Sequence, residues 1–376
     1  MIIQNAYVYT EGNGFRKKDI YIRRDRFCKE REIDDASVIN AEGCYAIPGL
    51  IDMHLHGCVG WDFCAGTWEA LDGIAAYEAS IGVTATVNAT MTLDEKQLQG
   101  ILKTADQYME KQTMLTGRAR LLGVYLEGPF VSASRSGAQD PAYVRKPDQA
   151  LFNALQKDQM IKVVAIAPET EGAIEFCERN RDKVILSLAH TDADYETAMR
   201  AFEAGASQVT HLYNAMTPFG HRQPGVVGAA MDAGAWTELI CDGIHVHPAA
   251  VRAAFRLMGE DRIIFISDSM MAAGLSDGDY SLGSQAVTVR GKEARLKDGT
   301  LAGSAMNLME CVQTAVQKMG IPLETAVRCA AVNPARRLGI YQERGSIQPG
   351  KVADVVLLNR EDLSLQKVIM RGISLS

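Results

Sequence analysis

The chain has 376 residues, 47% of them hydrophobic, and a formal charge of −7 from 39 Lys and Arg against 46 Asp and Glu. That length suits one large α/β barrel with a small addition, and an acidic chain without a basic run excludes an electrostatic footprint for nucleic acid or an anionic membrane. No stretch approaches the roughly 20 uncharged apolar residues that a membrane span needs.

From the start of the chain, residues 1–10 alternate apolar and polar side chains with no basic leader and no cleavage-like site, so a cytoplasmic location is expected. The eight cysteines, none in a CxxC pair, are expected to be reduced. Residues 2–9, 19–23 and 44–47 predict short strands split by turns such as Gly12-Asn13-Gly14. At the other end, the turn at 345–351 leads into predicted strands at 352–358 and 368–370. Strands at opposite ends can satisfy their edges by pairing. Residues 1–47 and 346–376 are therefore expected to form a small β-sandwich domain, leaving 48–345 for the barrel.

Between the ends, strand-like runs at 50–54, 84–88, 121–127, 162–167, 184–188, 208–211, 238–241 and 263–267 alternate with helical patterns at 67–81, 93–110, 149–157, 172–179, 194–204 and 248–258. Eight parallel strands close a (β/α)8 TIM-type barrel. The glycine-punctuated segment that follows predicts a β-hairpin insertion near 278–301, before helices near 308–318 and 323–331.

Potential ligands and proton carriers gather at one end of these strands. The first strand closes on Asp52-Met53-His54-Leu55-His56, and side chains at i and i+2 share a strand face, so both imidazoles can reach one point. Imidazole is a common metal ligand and needs no charge compensation. Glu127 leaves the third strand, His190 the fifth and His211 the sixth; Asp242 and His245 follow the seventh, and Asp268 ends the eighth. These are carboxyl ends, where barrel active sites are built. Singly, Glu127 could be a cap or an ion-pair partner, His190 and His211 satisfied core histidines, and Asp268 an N-cap; together they point to a metal site. Mixed imidazole and carboxylate ligation suits zinc, iron or manganese. His247, before Pro248, reads as helix entry, and His221 lies in a loop beside Arg222 without an assigned role.

In the segments Pro48 to Gly57, Leu126-Glu-Gly-Pro-Phe130, Ala189-His-Thr191, Thr210-His-Leu-Tyr-Asn-Ala-Met216, Cys241-Asp-Gly-Ile-His-Val246, Ser267-Asp-Ser269, Gly299 to Ser304 and Asn333-Pro-Ala335, the chain resembles the amidohydrolase superfamily and, within it, the N-acetylglucosamine-6-phosphate deacetylases. The resemblance implies a divalent cation on Glu127, His190 and His211; with both His54 and His56 present the chain looks like the two-metal form, one or two ions per subunit. It also implies that Asp268 takes a proton from the attacking water and delivers it to the departing amine, while His245 polarises the acetamide carbonyl. Asn214 and Ala215 resemble the phosphate-binding turn. Arg222 matches an arginine that reaches phosphate across a homodimer interface. The implied reaction converts N-acetylglucosamine 6-phosphate to glucosamine 6-phosphate and acetate, in amino-sugar breakdown or recycling.

Two departures stand out. Gly137-Ala138-Gln139 replaces a usual Gly-Ala-His, which makes Gln139 a candidate substrate contact, and Ser267-Asp268-Ser269 replaces a more familiar Thr-Asp-Ala. A cyclic-amide hydrolase of the dihydropyrimidinase or dihydroorotase type is the alternative, but such proteins bridge their metals with a strand lysine, and the fourth strand here runs into Ile166-Ala-Pro168. A non-catalytic sugar-phosphate-binding barrel predicts loss of a ligand or of the proton carrier, yet all are present.

Overall fold

In the computed structural model, which describes residues 1–32 and 36–375, eight parallel strands lie side by side in chain order. They are β1 (Leu50–Leu55), β2 (Val83–Ala89), β3 (Arg120–Leu126), β4 (Ile161–Ile166), β5 (Ile185–Leu188), β6 (Gln208–Val209), β7 (Trp236–Ile240) and β8 (Ile263–Ile266). Just past β8 the chain returns to β1: the Asp268 N–H donates to the His54 carbonyl at 3.0 Å and the His56 N–H to the Ser269 carbonyl at 2.8 Å. The ring closes at its C-terminal mouth, as the sequence predicted.

Alternation within a strand explains the layering. In β4, Val164 and Ile166 pack with helix residues such as Phe152 and Phe176, whereas Val163 and Ala165 join Met53, Tyr125, Ile240 and Ile264 in a separate interior cluster. A strand buried on both faces reads as a continuous apolar run, and each fully buried aliphatic side chain contributes roughly 1.5–3 kcal/mol. The barrel floor is closed by the helix Asn333–Arg337. Its Ala335, with Leu338 just beyond, packs on Ile51 and Ala85, and the Asn333 amide donates to the Ile263 carbonyl at 2.6 Å.

The predicted helices are present, several with the caps their sequences announce: Asp94 closes a capping box with Gln97, and Asp194 accepts from the Thr197 N–H. The floor helix Asn333–Arg337 was not predicted, nor was Gly225–Ala233 between β6 and β7; the latter is the longer. Its first six residues, Gly-Val-Val-Gly-Ala-Ala, are all buried, so no polar face alternates with an apolar one, and glycine and valine are weak helix formers. The expected hairpin is a three-stranded sheet, Gly278–Leu282, Gln285–Arg290 and Glu293–Arg295. The extra turn is Gly291-Lys292, where φ is +57° and +75°, the left-handed pair of a two-residue hairpin turn.

Both chain ends build the second layer system. A six-stranded sheet joins Tyr7–Thr10, Gly14–Lys17 and Cys44–Pro48 to Val355–Asn359, Leu365–Met370 and Ile373–Leu375, the two sets meeting where Cys44–Pro48 pairs with Val355–Asn359. A four-stranded sheet holds Ile2–Gln4, Ile20–Arg23, Arg26–Cys28 and Val38–Asn40. Ile3, Ile22 and Phe27 of the smaller sheet pack with Val8, Val355 and Ile369 of the larger in one core, which makes the predicted sandwich from both termini. Residues 33–35 and 376 of those segments lie outside the described residues. All eight cysteines are free, and among the described residues no helix is long and apolar enough to cross a membrane.

Candidate active site

The strand ends turn sharply where the candidate ligands sit. His190, His211 and Asp268 have φ of +44°, +29° and +49°, left-handed conformations that cost on the order of 1–3 kcal/mol each for a side-chain-bearing residue and cluster at functional sites. Their side chains meet Glu127. Its Oε1 lies 3.2 Å from both His190 Nε2 and His211 Nε2, and its Oε2 lies 3.1 Å from His56 Nε2 and 3.5 Å from His54 Nε2. Two buried donor groups result, His54–His56–Glu127 and Glu127–His190–His211, sharing one carboxylate. Asp268 Oδ1 lies 3.2 Å from His56 Nε2 and 3.7 Å from His54 Nε2.

The far nitrogen of three rings determines what the near one presents. His56 Nδ1 faces the Ala89 carbonyl at 3.2 Å, His190 Nδ1 the Arg135 carbonyl at 2.9 Å, and His54 Nδ1 the Glu238 carboxylate at 3.0 Å. These oxygens only accept, so each Nδ1 carries a proton, and Nε2 faces Glu127 either as a second N–H that the carboxylate accepts or as the lone pair that a bound ion would take. His54 Nε2 is buried without a hydrogen-bond partner. Charge tells the same story. Burial pulls His56 down, but its hydrogen bonds to Asp268 and Glu127 carry it up to about 9. Burial likewise opposes ionisation of Glu127, yet the His54 charge and the hydrogen bonds from His190 and His211 hold it well below the usual carboxylate range. A centre that draws protons onto its imidazoles in this way fits a cation, and the donor atoms within each group, all within 4.8 Å of one another, could hold a metal ion.

Beside this centre, Asp242 shapes a turn. Its Oδ1 accepts from the Ile244 and His245 N–H groups at 2.8 and 2.9 Å. Its Oδ2 accepts from His245 Nδ1 at 2.7 Å and from the Ser304 hydroxyl at 3.1 Å. Burial lowers the His245 pKa, but the Asp242 hydrogen bond and charge outweigh it and raise the ring above its ordinary value.

His56, Glu127, His190, His211, His245 and Asp268 line one cavity of about 330 Å³, together with Asn214, Ala215 and Gln139. Asn214 turns its amide back onto the His211 and Leu212 carbonyls, both at 3.2 Å. Gly137 has φ +58°, and a Cβ there would come within 3.3 Å of His190 Cε1. Gln139 borders the cavity, but its amide is committed: Nε2 donates to Glu127 Oε2 at 2.9 Å and Oε1 accepts from the Thr92 N–H at 2.6 Å. Arg222 is not in this cavity within one chain; it is exposed, in a neighbouring cleft that shares Arg135 with it. His54 lies beneath the cavity floor, wholly buried. His247 caps its helix, its Nδ1 accepting from the Ala249 N–H at 3.1 Å, and His221 is exposed.

Several neighbours of the site were not expected. Ser304 supports Asp242, the insertion contributes Leu282 to the cavity wall, and Glu238 stands behind His54. Glu238 left a signal as a lone charge in the apolar run Trp236-Thr-Glu-Leu-Ile240, and Ser304 closes a segment that carried the resemblance without a role assigned to it. Glu127 is the one residue shared between both groups.

Comparison with known proteins agrees with this geometry. Residues 45–373 match the amidohydrolase family. The chain is 37% identical over 375 residues to an N-acetylglucosamine-6-phosphate deacetylase of Bacillus subtilis (strain 168), covering 99% of this chain and 93% of that protein. It is 36% identical over 340 residues to an N-acetylgalactosamine-6-phosphate deacetylase of Escherichia coli O157:H7, covering 89% of each. A mutant N-acetyl-D-glucosamine-6-phosphate deacetylase from Mycobacterium smegmatis, solved in complex with N-acetyl-D-glucosamine-6-phosphate, superposes with a TM-score of 0.91 at 31% identity, over 100% of this chain and 98% of that one. The chain belongs to the amidohydrolase family, within its N-acetylglucosamine-6-phosphate deacetylase branch.

Proposed function

We propose that the protein hydrolyses the acetamide of N-acetylglucosamine 6-phosphate, releasing acetate and glucosamine 6-phosphate in amino-sugar breakdown or recycling in the cytoplasm. The observation that carries this reading is the doubled imidazole centre on Glu127, opening into a cavity that Asp268 and His245 also face. Glu127, His190 and His211 would hold one divalent ion and His54, His56 and Glu127 a second, with zinc, iron and manganese as the candidates. When bound, such an ion supplies Lewis acidity and lowers the pKa of a water toward about 7.

The chain's own residues do the rest. Asp268 accepts the proton of the attacking water as the new C–O bond forms, then returns it to the nitrogen as the C–N bond breaks. Burial would raise the Asp268 carboxyl, but the His56 hydrogen bond and the charges of His54 and His56 outweigh that and hold it below its ordinary value. It is thus ionised at neutral pH, as a base must be. His245, with Nδ1 committed to Asp242, offers its Nε2–H to the carbonyl oxygen as negative charge develops there.

His245→Gln is expected to lower kcat by about 100-fold or more. The wild-type ring loses its donor as pH rises through a pKa that Asp242 has raised, so the alkaline fall in rate should vanish in the variant; a pH–rate profile checks this. Asn214 and Ala215 take the phosphate end, and Arg222 reaches it from a second subunit of a homodimer. Gln139, at the cavity wall and bonded to Glu127, tunes which sugars are accepted. The same reading divides the chain into a terminal β unit, 1–47 with 346–376, and a catalytic barrel, 48–345.

The test is acetate release from N-acetylglucosamine 6-phosphate, N-acetylgalactosamine 6-phosphate and unphosphorylated N-acetylglucosamine, with zinc, iron or manganese added. The first should be the fastest and the last the slowest. Metal-loaded, folded protein that releases no acetate from either phosphosugar overturns the reading.

A further inference from the structure

Barrel interiors are ordinarily packed with layers of aliphatic side chains. Here a polar column crosses the interior, and it ends on one particular imidazole. Glu238 in β7 is 0% exposed; its Oε2 faces His54 Nδ1 at 3.0 Å and its Oε1 accepts from Gln208 Nε2 at 2.7 Å. Gln208 Oε1 in turn accepts from Arg337 Nε at 2.7 Å, and Arg337 Nη2 donates to the Ser207 hydroxyl at 2.6 Å.

This column has only one possible polarity. A guanidinium has no acceptor, so the Gln208 oxygen must face Arg337 and its NH2 must face Glu238. Glu238 is left with a single acceptor aimed at His54, so His54 carries its proton on Nδ1. Its Nε2, the nitrogen left for an ion, then faces the shared carboxylate, where it lacks a hydrogen-bond partner. The Tyr125 ring, with its centroid 4.4 Å from that of His54, keeps the imidazole from swinging away, and Tyr125 is itself tied to Thr210 at 2.6 Å.

His54 is also set apart from its neighbours. The far nitrogens of His56 and His190 meet neutral backbone carbonyls and that of His211 has no partner; among these four rings only His54 is backed by a carboxylate. A carboxylate behind an imidazole raises its basicity as a ligand and fixes its orientation.

We propose that Glu238, held by Gln208 and Arg337, is a positioning residue that makes His54 a metal ligand and so determines whether the His54–His56–Glu127 group takes up an ion. This rests on the two-ion reading above. The Glu127–His190–His211 group does not depend on it.

The test titrates zinc into chelator-stripped wild type and Glu238→Gln, counting bound zinc by elemental analysis and measuring affinities by competition with a chromophoric chelator. The first zinc should bind the variant as it binds the wild type, and the second about 10–100-fold more weakly. A merely structural role would weaken both equally. A variant that folds like wild type and binds both ions with unchanged affinity overturns the proposal, as does a wild type that takes up only one zinc. Should Glu238→Gln fail to fold, 15N-histidine NMR of the zinc-loaded wild type decides: a proton on His54 Nδ1 supports the proposal and a proton on Nε2 overturns it. Acetate release plays no part in these outcomes, so failure of the deacetylase reading would show separately, as two bound zincs without turnover.

Discussion

Replacing Glu127 by Gln should empty both donor groups at once and reduce acetate release by about a thousandfold or more. Each carboxylate oxygen serves one group: Oε1 faces His190 and His211, while Oε2 faces His56 and His54. An amide of the same shape offers one oxygen, and its NH2 turns hydrogens toward the other group. Among the described residues neither group contains another carboxylate, and Asp268, beside His56 and His54, is the proton carrier of the proposed reaction. Lewis acidity is worth several kcal/mol of charge stabilisation, and each 1.36 kcal/mol is tenfold in rate, which sets the size of the loss. Elemental analysis should find less than one ion per subunit. Thermal unfolding supplies a readout independent of turnover: an ion that binds only the folded state stabilises it, so a chelator should lower the wild-type Tm and leave that of Glu127→Gln unchanged. A variant that keeps a full complement of metal would refute the shared role.

Asp268→Asn should retain metal and fold yet lose about 10²–10⁴ in kcat, the usual range for a positioned acid–base group. The carboxylate sits at the cavity with Oδ1 3.2 Å from His56 Nε2, and an amide of the same size accepts no proton. KM should stay within a few fold, because the interaction lost belongs to the transition state. The sign of the pH dependence follows from the lowered pKa of Asp268: as pH falls the wild type loses its base only below the ordinary carboxylate range, so an acid limb seen nearer neutrality belongs to another group. Stopped assays of acetate release across pH check both points, and a variant within tenfold of the wild-type kcat would sink the assigned role.

The eight barrel strands were legible as mostly apolar runs alternating with helical patterns, six of them with a candidate ligand or proton carrier at or just past the carboxyl end. β6 shows the limit of that legibility. It was predicted to reach His211, yet the ladder stops at Val209 and the chain swings to φ +29° at His211, a turn that apolarity alone does not announce. Gln139 was visible as a departure from the family pattern, but its bond to Glu127 was not, since the two are brought together by the loop after β3 and not by strand spacing. The helix Gly225–Ala233 was hidden for another reason: a helix buried on nearly every side has no amphipathic period.

The sequence by itself determined the alternation of strands and helices, the pairing of His54 with His56 on one strand face, and the carriage of Glu127, His190, His211, His245 and Asp268 at strand ends; these follow from local periodicity and chain order. Only the tertiary structure decided that Glu127 is divided between two imidazole pairs, that Arg222 lies outside the cavity of its own chain, and that a column from Arg337 through Gln208 to Glu238 stands behind His54. Those relations join residues well separated in the chain, from 30 positions between Gln208 and Glu238 to 184 between His54 and Glu238. Hydrogen bonds of a few ångströms are set by how the strands close into a ring, a geometry that no local pattern of residues encodes.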